Sequence, residues 1–126
     1  MDVRSAPFAS PHVEYVGAVQ GKEKARLLAR ARALLFPGHP LEAFDLVVAE
    51  ALISGTPVIA GDGGSFRELV QPKVGFVCGT LDAHVHAIAN SGRISSAVCR
   101  TYAEREFHYQ VMTRRYLAEY ETELAR

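Results

Sequence analysis

Short apolar runs that do not alternate with polar residues constrain this chain most. They are "ALLFP" (33–37), "TPVIAG" (56–61) and "VGFVC" (74–78). A strand with one wet face would alternate, so these read as strands buried on both sides. "VEYVGAV" (13–19), a short β-branched run, is a further strand candidate. Helix patterns lie between the runs. "KEKARLLARAR" (22–32) combines strong helix formers with apolar residues at helical spacing. "DLVVAEALIS" (45–54) reads as a helix that Asp45 caps, and Gly55 suits the position just past its end. "GSFRELV" (64–70) reads as a short helix. Strands and helices in alternation predict an α/β fold: a doubly wound parallel sheet of about four strands, covered on both faces.

After Cys78 the strand signals stop. "LDAHVHAIAN" (81–90) predicts a helix, and from Ser95 the pattern is helical almost to Arg126, with a break near Phe107–His108. Met112, Tyr116 and Tyr120 recur every four residues, with Val111, Leu117 and Leu124 beside them. This stripe has two readings: packing on the domain's own body, or a seam for another domain or a second copy. Residues 1–12 form a polar segment, and 13–126 form the domain. Doubly wound domains usually start with a strand, a phosphate-binding turn and a helix, and their sheets usually have five or six strands. The expectation is therefore an architecture whose first strand–helix–strand unit is missing.

Composition narrows the function. The 126 residues suit one domain, and 14 Lys and Arg balance 14 Asp and Glu. No basic field points to a nucleic-acid partner. No apolar run approaches the ~20 residues of a membrane span, and the first twelve residues lack the apolar stretch of a signal peptide. Cys78 and Cys99 read as small packing residues of a reducing, cytoplasmic compartment. His84 and His86 lie about 200° apart on their helix, too far round to share a metal. No metal site is expected.

The acidic residues carry the chemistry. Glu50 is the only charged residue from Leu46 to Ile53, and a carboxylate buried there without a partner would be costly. Glu42 lies eight residues earlier, before the predicted helix start, in a loop at a strand's carboxyl end. Open α/β sheets bind ligands there, and helix N-termini offer N–H groups to anions. Carboxylates accept from vicinal hydroxyls, and N–H groups suit phosphate. The combination fits a nucleotide sugar. The alternative is that Glu50 is a buried salt-bridge partner and Glu42 a solvated loop residue. "GDGGSFRE" (61–68) likewise reads either as a phosphate nest or as the turn that starts the next helix.

Glu42 to Leu52, followed by "SGTPVIA" and "GGSFRELV", resembles the E-x7-E signature of retaining GT-B glycosyltransferases of family 4. "VEYVGAV", "LLARARALLFP" and "YAEREFHYQVMTRRYLAEY" match in order, so the resemblance covers residues 12–123. It implies a Rossmann-like, donor-binding C-terminal half of a GT-B fold, incomplete here. It also implies transfer of a sugar from an NDP-sugar, with retention and no cofactor or essential metal. Glu42 would lie at the reacting centre, and Glu50 would hold the donor ribose. Backbone around Phe44, Asp45 and Leu46 would meet the sugar or diphosphate. Val19 would help frame the base, with Gly63 and Gly64 beside the donor sugar.

The implied partners are a nucleotide sugar, the missing N-terminal GT-B domain and a second copy through the C-terminal helix. For the full enzyme, a membrane surface met peripherally joins them. The sequence departs from the pattern at Ala43 and Asp45, where the family usually has glycine. No residue matches the family's diphosphate-binding Arg and Lys, with Lys22 and Lys24 as weak substitutes. The isolated chain is therefore expected to lack turnover, and a non-catalytic interaction module is the rival reading.

Overall fold

Each of the three non-alternating runs supplies one strand: β1 (Leu34–Phe36), β2 (Val58–Gly61) and β3 (Gly75–Cys78). The computed structural model describes residues 10–37 and 46–126. Among these the strands form a parallel sheet in the order β1–β2–β3. The register sets Leu34 beside Val58 and Val58 beside Gly75. β2 is central, and all four of its residues are buried.

Alternation along the strands sorts side chains to two faces. Leu34, Phe36, Val58, Ala60 and Val77 join the larger core. That core is completed by Leu28 of α1 (Gly21–Arg30), by Val48, Ala51 and Leu52 of α2 (Leu46–Ile53), by Phe66 of α3 (Phe66–Leu69), and by Cys99, Tyr102 and Ala103 of α5 (Ser96–Phe107). Phe36 and Phe66 meet edge to face at 5.5 Å. On the opposite face Ile59 and Cys78 pack with Ala87 of α4 (Leu81–Asn90), beside Ala33, Phe76 and Ala83. The sheet is thus covered on both sides at β2 and β3. The expectation fails at β1, where Leu35 is 51% exposed because, among the described residues, no helix packs over that edge of the second face.

Two expectations about the strands and the last helix change. The run 13–19 is not a strand. Among the described residues its only ladder contact is an isolated bridge from Val13 to Ser10, and Val13, Tyr15 and Val16 are exposed. β-branched residues favour extended backbone, but a strand also needs a neighbour to pair with, and among the described residues β1 pairs with β2 alone. Gly17, at φ 75°, further interrupts the run. The last helix, α6 (Tyr109–Leu124), buries none of its residues. Met112, Tyr116, Leu117, Tyr120 and Leu124 are all exposed, so the stripe does not pack on the body of the domain.

The break between α5 and α6 falls at His108, where the backbone turns extended. The His108 ring nitrogen accepts from the Gln110 N–H at 3.2 Å and so caps α6. Thr80 and Ser95 cap α4 and α5 through side-chain oxygens. Gly55 follows α2 at φ 83°, with its N–H donating to the Leu52 carbonyl at 3.0 Å. A residue without a side chain ends the helix there at little steric cost.

Candidate functional site

Helical periodicity explains why Glu50 tolerates its apolar neighbours in sequence. Val48, Ala51 and Leu52 face the core. At 100° per residue Glu50 lies on the opposite side of α2 from them. Its side chain keeps 37% of its exposure, so it is not the buried carboxylate that the linear sequence suggests. Its partner is Lys24 of α1, whose Nζ lies 2.7 Å from Oε2 and whose side chain is 36% exposed.

α1 is held so that this contact forms. Leu28, one turn beyond Lys24, is buried in the core. The carbonyl of Leu28 accepts from the hydroxyl of Thr56, which is buried in the α2–β2 connection. One element thus fixes the C-terminal end of α1 and the exit of α2. At that exit the Ser54 hydroxyl and N–H both donate to the Glu50 carbonyl, at 2.8 and 3.1 Å.

The other candidate residues are placed as follows. Val19 is half-buried in the loop that leads into α1. Leu46 opens α2 with its side chain exposed. Gly63 and Gly64 form the turn after β2, where the Phe66 N–H donates to the Gly63 carbonyl at 3.3 Å and Gly64 has φ 54°. This turn starts α3, as the plainer of its two readings expected. Glu42, Phe44 and Asp45 lie outside the described residues.

The spacing did not reveal what holds the 62–67 turn together. Arg67 donates from Nε and a terminal nitrogen to the two carboxylate oxygens of Asp62, at 2.7 and 2.6 Å. The fork holds the Asp62 carboxyl below its ordinary value and raises Arg67. A basic residue five positions after an acidic one, across a Gly-Gly turn, is the signal that could have found it.

Other polar groups serve the fold. The Tyr102 hydroxyl donates to the Leu69 carbonyl at 2.8 Å, and burial pushes its pKa up. Burial also pushes up the thiols of Cys78 and Cys99. His84 contacts the Thr80 carbonyl through Nδ1 at 2.7 Å, and His86 neighbours Asn90 on its own helix. Among the described residues no three His, Cys, Asp or Glu side chains group as metal ligands. A cleft of about 230 Å³ beside α5 is lined by Lys73, Thr101, Tyr102, Arg105 and Glu106, but not by Lys24 or Glu50. No helix among the described residues is long and apolar enough to cross a membrane.

Comparison with known proteins identifies relatives. The family profile described as "Glycosyl transferases group 1" matches residues 7–91. A GDP-mannose-dependent alpha-mannosyltransferase of Mycolicibacterium smegmatis is 32% identical over 124 residues, covering 92% of this chain and 32% of that protein. A phosphatidyl-myo-inositol mannosyltransferase of Mycobacterium leprae is 28% identical over 119 residues, covering 88% of this chain and 32% of that protein. The crystal structure of AviGT4, a glycosyltransferase involved in avilamycin A biosynthesis, superposes with a TM-score of 0.68. It is 30% identical and covers 85% of this chain and 35% of its own. The chain spans about a third of the length of these proteins.

Proposed function

As the chain belongs to the glycosyl transferases group 1 family, we propose that it is the donor-binding part of a retaining transferase that uses an NDP-sugar. The observation that carries this reading is Glu50. It occupies the second glutamate of the E-x7-E pattern, and its carboxylate faces outward from α2, within reach of a ligand. An ionised carboxylate accepts from two vicinal hydroxyls, as a ribose presents them. Glu42 would lie at the reacting centre, with backbone around Phe44, Asp45 and Leu46 meeting the sugar or diphosphate. Val19 would border the base, and Gly63 and Gly64 the donor sugar. No cofactor or metal is invoked, since positive side chains and helix dipoles can stabilise a leaving diphosphate. The names of the mannosyltransferase relatives make GDP-mannose the first donor to try.

The acceptor side of the cleft belongs to a complementary N-terminal domain, so the chain alone binds donor weakly and does not turn it over. We place the protein in the cytoplasm, with the full enzyme meeting a membrane surface peripherally. Calorimetric titration of GDP-, UDP- and ADP-sugars against the wild type and Glu50→Ala tests the donor reading. Binding lost on substitution supports it; equal binding by the variant removes Glu50 from the site.

A second reading, an interaction module without catalysis, is favoured by α6. Its exposed Met112/Tyr116/Tyr120 stripe has Arg114 in the first half and Glu119 and Glu121 in the second, while Arg115 and Glu123 are paired within the chain with Glu106 and Arg126. Two copies laid antiparallel would set each basic half against an acidic half.

A further inference from the structure

The Lys24–Glu50 contact is a tight ion pair at a place where the fold does not need one. Leu28 and the Thr56 hydroxyl already fix α1. Both side chains keep about a third of their exposure, so solvent and salt screen the pair and it adds little to folding. What the pair does create is a paired acceptor and donor, 2.7 Å apart and half-exposed where α1 meets α2.

We propose that Lys24 and Glu50 act together as a clamp for the ribose diol, which makes Lys24 a specificity-determining residue of the donor site. The proposal rests on the donor-binding reading of Glu50 given above. Its chemistry is that of a hydroxyl, which is a donor and an acceptor at once. A carboxylate takes the hydroxyl proton but offers nothing to the oxygen lone pairs. An ammonium beside it supplies that second bond. A ribose hydroxyl that meets Glu50 and Lys24 from their exposed side therefore makes two charge-assisted bonds, and a 2′-deoxyribose loses both. Lys24 also offsets the charge of Glu50. A lone carboxylate would repel the nearby diphosphate, whereas the pair is neutral. The lysine thus lets an acidic residue serve in an anion-binding site.

The test uses the chain as it stands, titrated with GDP and 2′-deoxy-GDP and followed by amide NMR shifts. The probes differ only in the hydroxyl that the clamp would hold. The wild type should prefer GDP by at least about tenfold, the low end for a single hydrogen bond to a charged group. Lys24→Met should reduce that preference to about twofold, and Lys24→Arg should restore most of it. Retained amide dispersion would show that each variant is folded. Loss of GDP binding in Glu50→Ala, with the preference intact in Lys24→Met, would overturn the clamp and leave the donor reading standing. No GDP binding by the wild type, or full binding by Glu50→Ala, would overturn both.

Discussion

The hydroxyl of Thr56 donates to the carbonyl of Leu28, which lies 28 residues earlier in the chain. Both residues are buried, and the contact joins the end of α1 to the entry of β2. Thr56→Val keeps the shape and removes the donor, leaving the Leu28 carbonyl without this partner. Because that carbonyl also accepts from the Ala31 N–H at 3.2 Å, the expected cost is that of one hydrogen bond, about 0.5–1.5 kcal/mol, read from urea denaturation. A change below about 0.5 kcal/mol would show that α1 is held by apolar packing alone.

The Lys24–Glu50 pair should behave differently. A double-mutant cycle with Lys24→Met and Glu50→Gln should give a coupling in stability below about 1 kcal/mol. A larger value would make the contact a fastener between α1 and α2 rather than a ligand-facing pair.

Gly61 ends β2 under the chain leaving β1. A Cβ there would stand 1.8 Å from the Pro37 carbonyl oxygen, a backbone atom that cannot step aside. Gly61→Ala should destabilise by about 1–3 kcal/mol or more, the range for overpacking. At Gly79 a Cβ would lie 3.8 Å from an Asp62 carboxylate oxygen, an ordinary contact. Gly79→Ala should be nearly neutral, and thermal melts of the two variants measure the difference. Equal losses at the two sites would refute the steric account.

Arg67 sets an acid limit on the turn that carries Gly63 and Gly64. The folded pKa of Asp62 lies below its ordinary 3.8, chiefly through its hydrogen bonds with Arg67. A depressed carboxylate stabilises the fold above its unfolded value, and that contribution is lost as pH falls through the folded value. The stability gap between the wild type and Asp62→Asn should therefore be constant from about pH 7 to 5 and close below the ordinary 3.8. Denaturant midpoints across that range measure it, and a gap that persists at the acid end would assign the difference to something other than charge.

The exposed stripe of α6 should drive weak association. Sedimentation equilibrium is expected to show a reversible dimer at high protein concentration, abolished by Tyr116→Glu and weakened by salt. A chain that stays monomeric throughout would rule out the antiparallel pairing of two copies.

Much of this architecture was legible in the sequence. The helix over 81–90 was read at its observed bounds, and the break at Phe107–His108 falls where expected. Caps, turn glycines and helical spacing act within a few residues, so a linear reading can see them. The three strands were legible as strands for a related reason, since a run without polar positions suits burial on both faces, although Leu35 at the β1 edge stays exposed.

The tertiary structure decided what depends on neighbours distant in the chain. It left 13–19 outside the sheet, because an extended run becomes a strand only when another strand pairs with it. It turned Glu50 from a lone charge in an apolar stretch into an outward carboxylate held by Lys24. It also left the apolar stripe of α6 uncovered. Sequence sets the period at which side chains point around a helix, but which side meets the core, a lysine or water is settled only when the other elements pack.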